Sequence, residues 1–150
     1  MRVSFVVDGA PAEVEVRQDQ MLVEALRQLG RRSVRETCGI GVCGACTVLV
    51  DGEPVSGCLM LAAQAEGRHL TTAEGLAGDD PVLRAFTRAH AYQCGWCTPG
   101  MVLTVKAMLA EDRLPDRAEA AEALGGNLCR CGCYSRILDA VEIAAREVRR

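Results

Sequence analysis

The sequence is poor in aromatic residues and has no long apolar run. Two phenylalanines, two tyrosines and one tryptophan occur in 150 residues, so the core must rest on Val, Leu and Ala. No apolar run reaches the roughly 18 residues that a membrane-spanning helix needs. The first apolar stretch is broken by Asp8, so it does not resemble a secretory signal. We therefore expect a cytoplasmic protein with no membrane span.

An excess of basic residues is also absent. The chain has 17 Lys and Arg against 20 Asp and Glu, a net charge of −3. Domains that bind nucleic acid usually carry a basic patch, so we expect no nucleic-acid partner. The hydrophobic fraction of 49% and the charged fraction of 25% are ordinary for a folded protein. A chain of this length forms one large domain or two small ones.

Cysteine, in contrast, is abundant, with nine residues. A disulfide-stabilised secreted domain would need an export signal, so metal binding is the better interpretation of these thiols. An odd number leaves at least one cysteine outside any set of pairs. The nine residues fall into two groups, one in each half of the chain.

The first half has the pattern of a small α+β domain. Four segments show the alternation or apolar content of β-strands: 3–7, 12–17, 47–50 and 68–71. Asp19 is predicted to cap a helix over 21–29 that ends at Gly30. A short helix is predicted over 58–65.

The second half has the pattern of helices only. Four segments have helical character: 81–92, 98–111, 116–124 and a last helix from 135. Asp116 and Glu119 have the spacing of a capping box, and Ser135 is predicted to cap the last helix. Four helices of this length form a small bundle, joined to the first half by a linker near 73–80.

The first cysteine group has the spacing C-x4-C-x2-C-x11-C, from Cys38, Cys43, Cys46 and Cys58. This is the spacing of plant-type [2Fe–2S] ferredoxins, in which a glycine-rich loop curls around the cluster. A structural zinc site is the alternative, but such sites usually combine closely spaced C-x2-C units. We therefore favour a [2Fe–2S] cluster here.

The second group has the spacing C-x2-C-x31-C-x-C, from Cys94, Cys97, Cys129 and Cys131. Each pair lies between two predicted helices, and such turns meet at one place in a bundle. This spacing alone leaves an iron–sulfur cluster and a zinc ion both open.

Three motifs together resemble the iron–sulfur subunit of the xanthine oxidase family of molybdenum hydroxylases. They are Cys38-Gly-Ile-Gly-Val-Cys43-Gly-Ala-Cys46, Gln93-Cys94-Gly-Trp-Cys97-Thr-Pro-Gly, and Gly126-Asn-Leu-Cys129-Arg-Cys131. The resemblance covers nearly the whole chain. It implies an N-terminal β-grasp, ferredoxin-like domain (1–76) and a C-terminal four-helix bundle domain (77–150), each with one [2Fe–2S] cluster.

The resemblance also implies a function. The chain would be the electron-transfer subunit of an oxidoreductase, relaying electrons from a molybdopterin centre in a large partner subunit through two clusters to FAD or another acceptor. The FAD would belong to a medium subunit, in a heterotrimer or a dimer of heterotrimers. Gln93 and Cys131 would lie close to the molybdopterin, and no substrate turnover is expected from this chain alone. The alternatives are a free-standing two-cluster ferredoxin and a zinc-stabilised interaction module.

One departure from the family pattern concerns the ninth cysteine. The family usually continues its third motif with Thr-Gly-Tyr, whereas this chain has Gly132-Cys133-Tyr134. Cys133 is predicted to be a small buried side chain, with an alternative cluster ligand as the competing hypothesis. Trp96 is predicted to pack in a core or an interface, and His69 and His90 to be ordinary surface or packing residues.

Overall fold

The first half of the chain folds into a mixed five-stranded sheet. The structure is a computed structural model, and it describes residues 1–111 and 115–148. The strands are β1 (Arg2–Val7), β2 (Ala10–Glu15), β3 (Thr47–Val50), β4 (Glu53–Ser56) and β5 (His69–Thr71). They lie in the order β2-β1-β5-β3-β4, with β1 parallel to β5 and all other neighbours antiparallel.

The strands predicted over 3–7 and 12–17 pair as an antiparallel hairpin, and the second begins earlier than expected. Pro11 lies inside β2, opposite Val6 of β1. Because β2 is the edge strand of the sheet, a residue without an N–H donor is tolerated there. Strand β4 was not predicted, although it pairs with β3 along its whole length.

Helix α1 (Leu22–Gln28) packs its apolar face into the core beneath the sheet. The prediction that Asp19 caps this helix is wrong. The carboxylate of Glu24 instead accepts the N–H of Met21 at 2.9 Å, and Asp19 pairs with Arg17. The helix predicted over 58–65 is reduced to a 3-10 turn over Ala62–Ala65.

The described residues of the second half, 77–111 and 115–148, form four α-helices. They are α2 (Pro81–Arg88), α3 (Thr98–Leu109), α4 (Arg117–Ala123) and α5 (Tyr134–Val148). The predicted cap of α4 is confirmed, because Asp116 accepts the N–H groups of Ala118 and Glu119 at 2.8 and 2.9 Å. Ser135 does not cap the last helix, since α5 already includes Tyr134.

Each half has an apolar core of its own, and helix α3 joins them by packing against β3 and β4. The core of the first half lies between the sheet and α1 and includes Val3, Phe5, Leu22, Leu26 and Val48. The core of the second half includes Phe86, Met101, Val105, Ile137 and Val141. The predicted α+β class is confirmed. Within residues 1–111 and 115–148, no helix has the length and apolar character needed to cross a membrane.

Candidate metal centres

The first quartet of cysteines (Cys38, Cys43, Cys46 and Cys58) lies at one end of the sheet. Three of its members belong to a loop that precedes β3, and Cys58 follows β4. Cys38 and Cys43 are partly exposed, and the Cys43 thiol helps to lower the pKa of Cys38. Cys46 and Cys58 are buried, and the Cys58 thiol helps to raise the pKa of Cys46. The quartet therefore consists of an outer pair and an inner pair.

Backbone N–H groups surround the outer sulfur of Cys38. The N–H of Ile40 has the largest effect, followed by the thiol of Cys43 and the N–H groups of Cys43 and Val42, and together they lower the pKa of Cys38 to about 6. The loop bends this way because Gly39 and its neighbouring glycines have positive φ. A thiolate is therefore stabilised at this position before any metal is considered.

The inner pair has the opposite electrostatic environment. Burial raises the pKa of Cys46 to about 11, despite a backbone hydrogen bond from Cys58. A buried thiolate is unstable unless a positive ion compensates its charge. Metal coordination is the usual way in which such buried cysteines become ionised.

The second quartet (Cys94, Cys97, Cys129 and Cys131) is assembled from two turns. Cys94 and Cys97 lie between α2 and α3, and Cys129 and Cys131 lie just before α5. The thiol of the partly buried Cys131 helps to lower the pKa of exposed Cys94. The thiol of buried Cys129 helps to raise the pKa of buried Cys97. The helices thus bring together residues more than thirty positions apart, again as an outer and an inner pair.

The electrostatics of the second quartet follow the same division at Cys94 and Cys97 but not at the buried Cys129. The N–H of Trp96 and then the thiol of Cys131 lower the pKa of Cys94. Burial raises the pKa of Cys97 to about 12. At Cys129, burial opposes ionisation, but hydrogen bonds led by the N–H of Cys133, at 3.4 Å from the sulfur, lower its pKa on balance.

The paired arrangement suits a dinuclear centre. In the described parts of the chain, no three Cys, His, Asp or Glu side chains converge as they do around one metal ion. A [2Fe–2S] cluster needs two thiolates on each of two irons, which two thiol pairs are able to supply. N–H groups aimed at the sulfurs also fit a cluster that carries net negative charge. The residues present therefore fit two such clusters.

Hydrogen bonds join the two quartets directly. The N–H of Leu128 donates to the carbonyl oxygen of Cys43 at 2.9 Å, and the amide of Asn127 donates to that of Gly44 at 3.2 Å. Asn127 is buried, and its own amide oxygen accepts from the Thr104 hydroxyl at 3.0 Å. The loop that carries Cys43 is thus bonded to the segment that leads into Cys129.

Sequence reasoning missed a second link between the quartets. The Arg35 guanidinium donates to the carbonyl oxygens of Gly95 and Trp96 and lies 4.7 Å from the centroid of the Trp96 ring. The indole N–H of Trp96 donates to Thr37 at 2.9 Å. Trp96 is 52% exposed, so it does not pack in a core of this chain, and its predicted packing in a subunit interface stays a prediction. No sequence signal relates Arg35 to a residue 61 positions away.

The exposure of the remaining candidate residues, Gln93, Cys133, His69 and His90, is compatible with the roles predicted for them. Gln93 is exposed directly before Cys94, and Cys133 is buried behind Cys129. His69 and His90 are both exposed.

Comparisons with known proteins match both halves of the chain. Residues 5–77 match the family model described as a 2Fe-2S iron-sulfur cluster binding domain. Residues 72–142 match the model of a [2Fe-2S] binding domain. The nicotinate dehydrogenase small FeS subunit of Eubacterium barkeri is 44% identical, over 92% of this chain and 90% of that protein. The xanthine dehydrogenase iron-sulfur-binding subunit of Escherichia coli O157:H7 is 42% identical, over 90% and 88%.

Solved structures extend the similarity to the fold. A chain of quinoline 2-oxidoreductase from Pseudomonas putida 86 superposes with a TM-score of 0.93 at 42% identity, covering 99% of this chain and 96% of that one. Aldehyde oxidoreductase from Desulfovibrio gigas superposes with a TM-score of 0.93 at 31% identity. In that case the match covers 99% of this chain but 17% of the other, so the same unit occurs there as part of a much longer polypeptide.

Proposed function

The chain belongs to the family of iron–sulfur small subunits of molybdenum hydroxylases, and from this premise we propose that it relays electrons between a molybdopterin centre and a flavin, both held by partner subunits. It is a subunit of an oxidoreductase complex and has larger partner subunits. The substrate chemistry belongs to those partners, so this chain alone has no turnover. Its own residues bind two clusters and adjust their potentials.

The ligands that we propose are the two quartets. Cys38, Cys43, Cys46 and Cys58 would hold the first [2Fe–2S] cluster, and Cys94, Cys97, Cys129 and Cys131 the second. When bound, each cluster supplies one-electron transfer at a potential set by hydrogen bonds, charge and burial. Cys38 and Cys94 of the outer pairs and Cys129 of an inner pair accept N–H groups of the backbone. Both inner pairs are buried away from water. These features support the assignment over a zinc-stabilised module.

The observation that carries the relay is the hydrogen bond from Leu128 N–H to the Cys43 carbonyl oxygen, 2.9 Å long. Cys43 belongs to one proposed ligand set, and Leu128 directly precedes Cys129 of the other. A short path of covalent bonds and one hydrogen bond therefore joins the quartets. A hydrogen bond between the two quartets is expected if an electron passes between them. Two metal sites with purely structural roles would not need it.

Exposed apolar side chains support partner surfaces at both quartets. Tyr92, Leu128 and Tyr134 are exposed around the second quartet, where Gln93 and Cys131 would meet the molybdopterin of the large subunit. At the first quartet, Ile40 and Leu59 are 68% and 61% exposed. This second surface would face a medium, FAD-binding subunit, in a heterotrimer or a dimer of heterotrimers.

The finer description of the fold follows the same proposal. Residues 1–76 would form a β-grasp, ferredoxin-like domain, and 77–150 a four-helix bundle domain. The separate apolar cores of the two halves support this division. Nine free thiols are typical of a reducing compartment, which supports a cytoplasmic location.

Electron paramagnetic resonance of the dithionite-reduced chain, with spins counted against total iron, tests the cluster assignment. We expect two distinct S = 1/2 signals and about four irons per chain. Zinc in place of iron, or one signal only, would contradict it.

Co-expression with a large molybdopterin-binding subunit tests the relay. We expect a stable complex in which substrate reduces both clusters, whereas the chain alone oxidises no substrate. A chain that carries both clusters but stays monomeric beside that subunit would instead be a free-standing ferredoxin.

A further inference from the structure

We propose that Arg35 is a positioning residue for the second cluster: it holds the turn between Cys94 and Cys97 and thereby raises the reduction potential there. The inference rests on the proposed function, because it assumes that the second quartet holds a redox-active cluster. Arg35 itself belongs to the half of the chain that carries the first quartet.

Arg35 is bonded to both cysteine-bearing segments at once. Its backbone N–H donates to the carbonyl oxygen of Ala45, between Cys43 and Cys46, at 3.1 Å. Its side chain crosses to the other half, where Nη1 lies 2.5 Å from the Gly95 oxygen and 2.6 Å from the Trp96 oxygen. One residue therefore fixes the position of the second turn relative to the first loop.

The turn that Arg35 holds presents a hydrogen-bond donor to a proposed ligand. The backbone N–H of Trp96 donates to the sulfur of Cys94 at 3.5 Å. Cys94 and the Trp96 side chain are exposed, so core packing does little to fix this peptide. The guanidinium on the Trp96 ring and the bond from the Trp96 indole to Thr37 restrain it from outside.

The expected direction of the effect follows from charge. Reduction adds an electron, so an N–H aimed at a ligand sulfur and a nearby cation both favour the reduced state. Arg35 supplies the cation directly and the N–H by holding the peptide. Lysine would keep the charge but lose the planar fork and the stacking on the ring. The two contributions are therefore separable by substitution.

The test is a redox titration followed by electron paramagnetic resonance on the complete chain carrying both clusters. For Arg35→Met we expect the equilibrium constant for reducing the second cluster to fall about tenfold, or about 59 mV for one electron. For Arg35→Lys we expect a fall of about threefold, because the charge is retained. The first cluster should change less than the second in both variants.

Arg32→Met is the matched control. Arg32 is exposed and lies three residues earlier on the same loop, so its loss removes an equal charge without touching the turn. We expect it to leave both potentials close to those of the unmodified chain. The two signals are assigned to their clusters with Cys46→Ser and Cys97→Ser.

Three results would overturn the role of Arg35. They are an unchanged second potential in Arg35→Met, an equal fall in Arg32→Met, or an unchanged potential in Arg35→Lys, which would reduce the effect to charge alone. If Arg35→Met does not fold, Arg35→Lys decides the question. The absence of two iron–sulfur signals in the unmodified chain would instead contradict the proposed function, so the two failures are distinguishable.

Discussion

The first quartet takes three of its cysteines from one short loop, whereas the second takes its cysteines in pairs from turns that α3 and α4 separate. Both nonetheless consist of a more accessible outer pair and a buried inner pair. In each outer pair one sulfur, that of Cys38 or Cys94, accepts backbone N–H groups. The loop of the first quartet depends on glycines with positive φ. The second depends on how helices pack.

This difference determines what each site requires of the rest of the chain. Closing the local loop of the first quartet costs little conformational entropy. The two turns of the second quartet meet only after the helices have packed. The first site should therefore survive damage to the helical core. The second should be lost with that core, and its cluster should in turn stabilise the helices.

The largest expected effect comes from replacing one buried ligand in each quartet. Cys46→Ser should remove the first signal and about half of the iron, and Cys97→Ser the second signal and the same amount. Because the second cluster connects distant turns, Cys97→Ser should also lower the melting temperature more than Cys46→Ser does. Electron paramagnetic resonance, iron analysis and thermal unfolding measure these effects.

Cys133→Ala is the control for this pair. Cys133 is as buried as the inner ligands. Alanine preserves its N–H bond to the Cys129 sulfur and removes only its thiol, which also helps to lower the pKa of Cys129. Both signals should remain. Loss of the second signal in this variant would make Cys133 a ligand, and loss of both signals in either serine variant would contradict two separate sites.

A smaller effect on stability is expected where the loop that carries Cys43 contacts the segment that leads into Cys129. Gly44 has a φ of 66°, and a Cβ there would lie 2.4 Å from the Asn127 amide nitrogen and 2.5 Å from the Gly126 carbonyl oxygen. Gly44→Ala should lower the free energy of unfolding by about 3 kcal/mol, from backbone strain and overpacking together. Because the contact joins both loops, both signals should change shape.

Gly39→Ala separates the two causes. Gly39 has nearly the same φ, 67°, but no atom lies within 4 Å of a Cβ built there. In Gly39→Ala only the backbone strain of a positive φ applies, so the free energy of unfolding should fall by about 1 kcal/mol. Denaturant unfolding of the two variants measures the difference, and equal losses would mean that the contact with Asn127 has no energetic weight.

The sequence predicted features whose causes are local. Pro99 at the start of α3 and the carboxylates around α4 act within one helical turn, and the spacing of Cys38, Cys43 and Cys46 belongs to one loop. These features needed no knowledge of the tertiary structure. The first quartet was for the same reason the better defined of the two in the sequence.

The features that were missed depend on partners elsewhere in the chain. Strand β4 forms because β3 lies beside it, although Pro54 makes the segment look like a loop. Asp19 is of a residue type that often caps helices, but here the carboxylate of Glu24 accepts the N–H of Met21. Arg35 and Asn127 bond to residues in the other half of the chain, so only the tertiary structure identifies them as links. Residues that join two regions therefore leave little trace in sequence spacing.

The smallest expected effect tests the helical half alone. Glu147 of α5 accepts from Arg84 at 2.7 Å and from Arg88 at 2.5 Å, both on α2, and the Arg84 hydrogen bond lowers its pKa below the usual 4.5. The pKa of Glu147 is thus lower in the folded than in the unfolded protein. Its contribution to the free energy of unfolding is therefore present above about pH 4.5 and is lost as the pH falls through the pKa of the folded state.

Glu147→Gln should therefore lower the melting temperature slightly at about pH 7, and the difference from the unmodified chain should shrink as the pH falls below about 4.5. Comparing the two chains at each pH cancels acid effects on other groups, including loss of iron. At neutral pH the first signal should persist on heating as in the unmodified chain, while the second is lost earlier, because α2 and α5 support only the second quartet. A difference that does not shrink as the pH falls below about 4.5 would show that the charge of Glu147 is not what joins these helices.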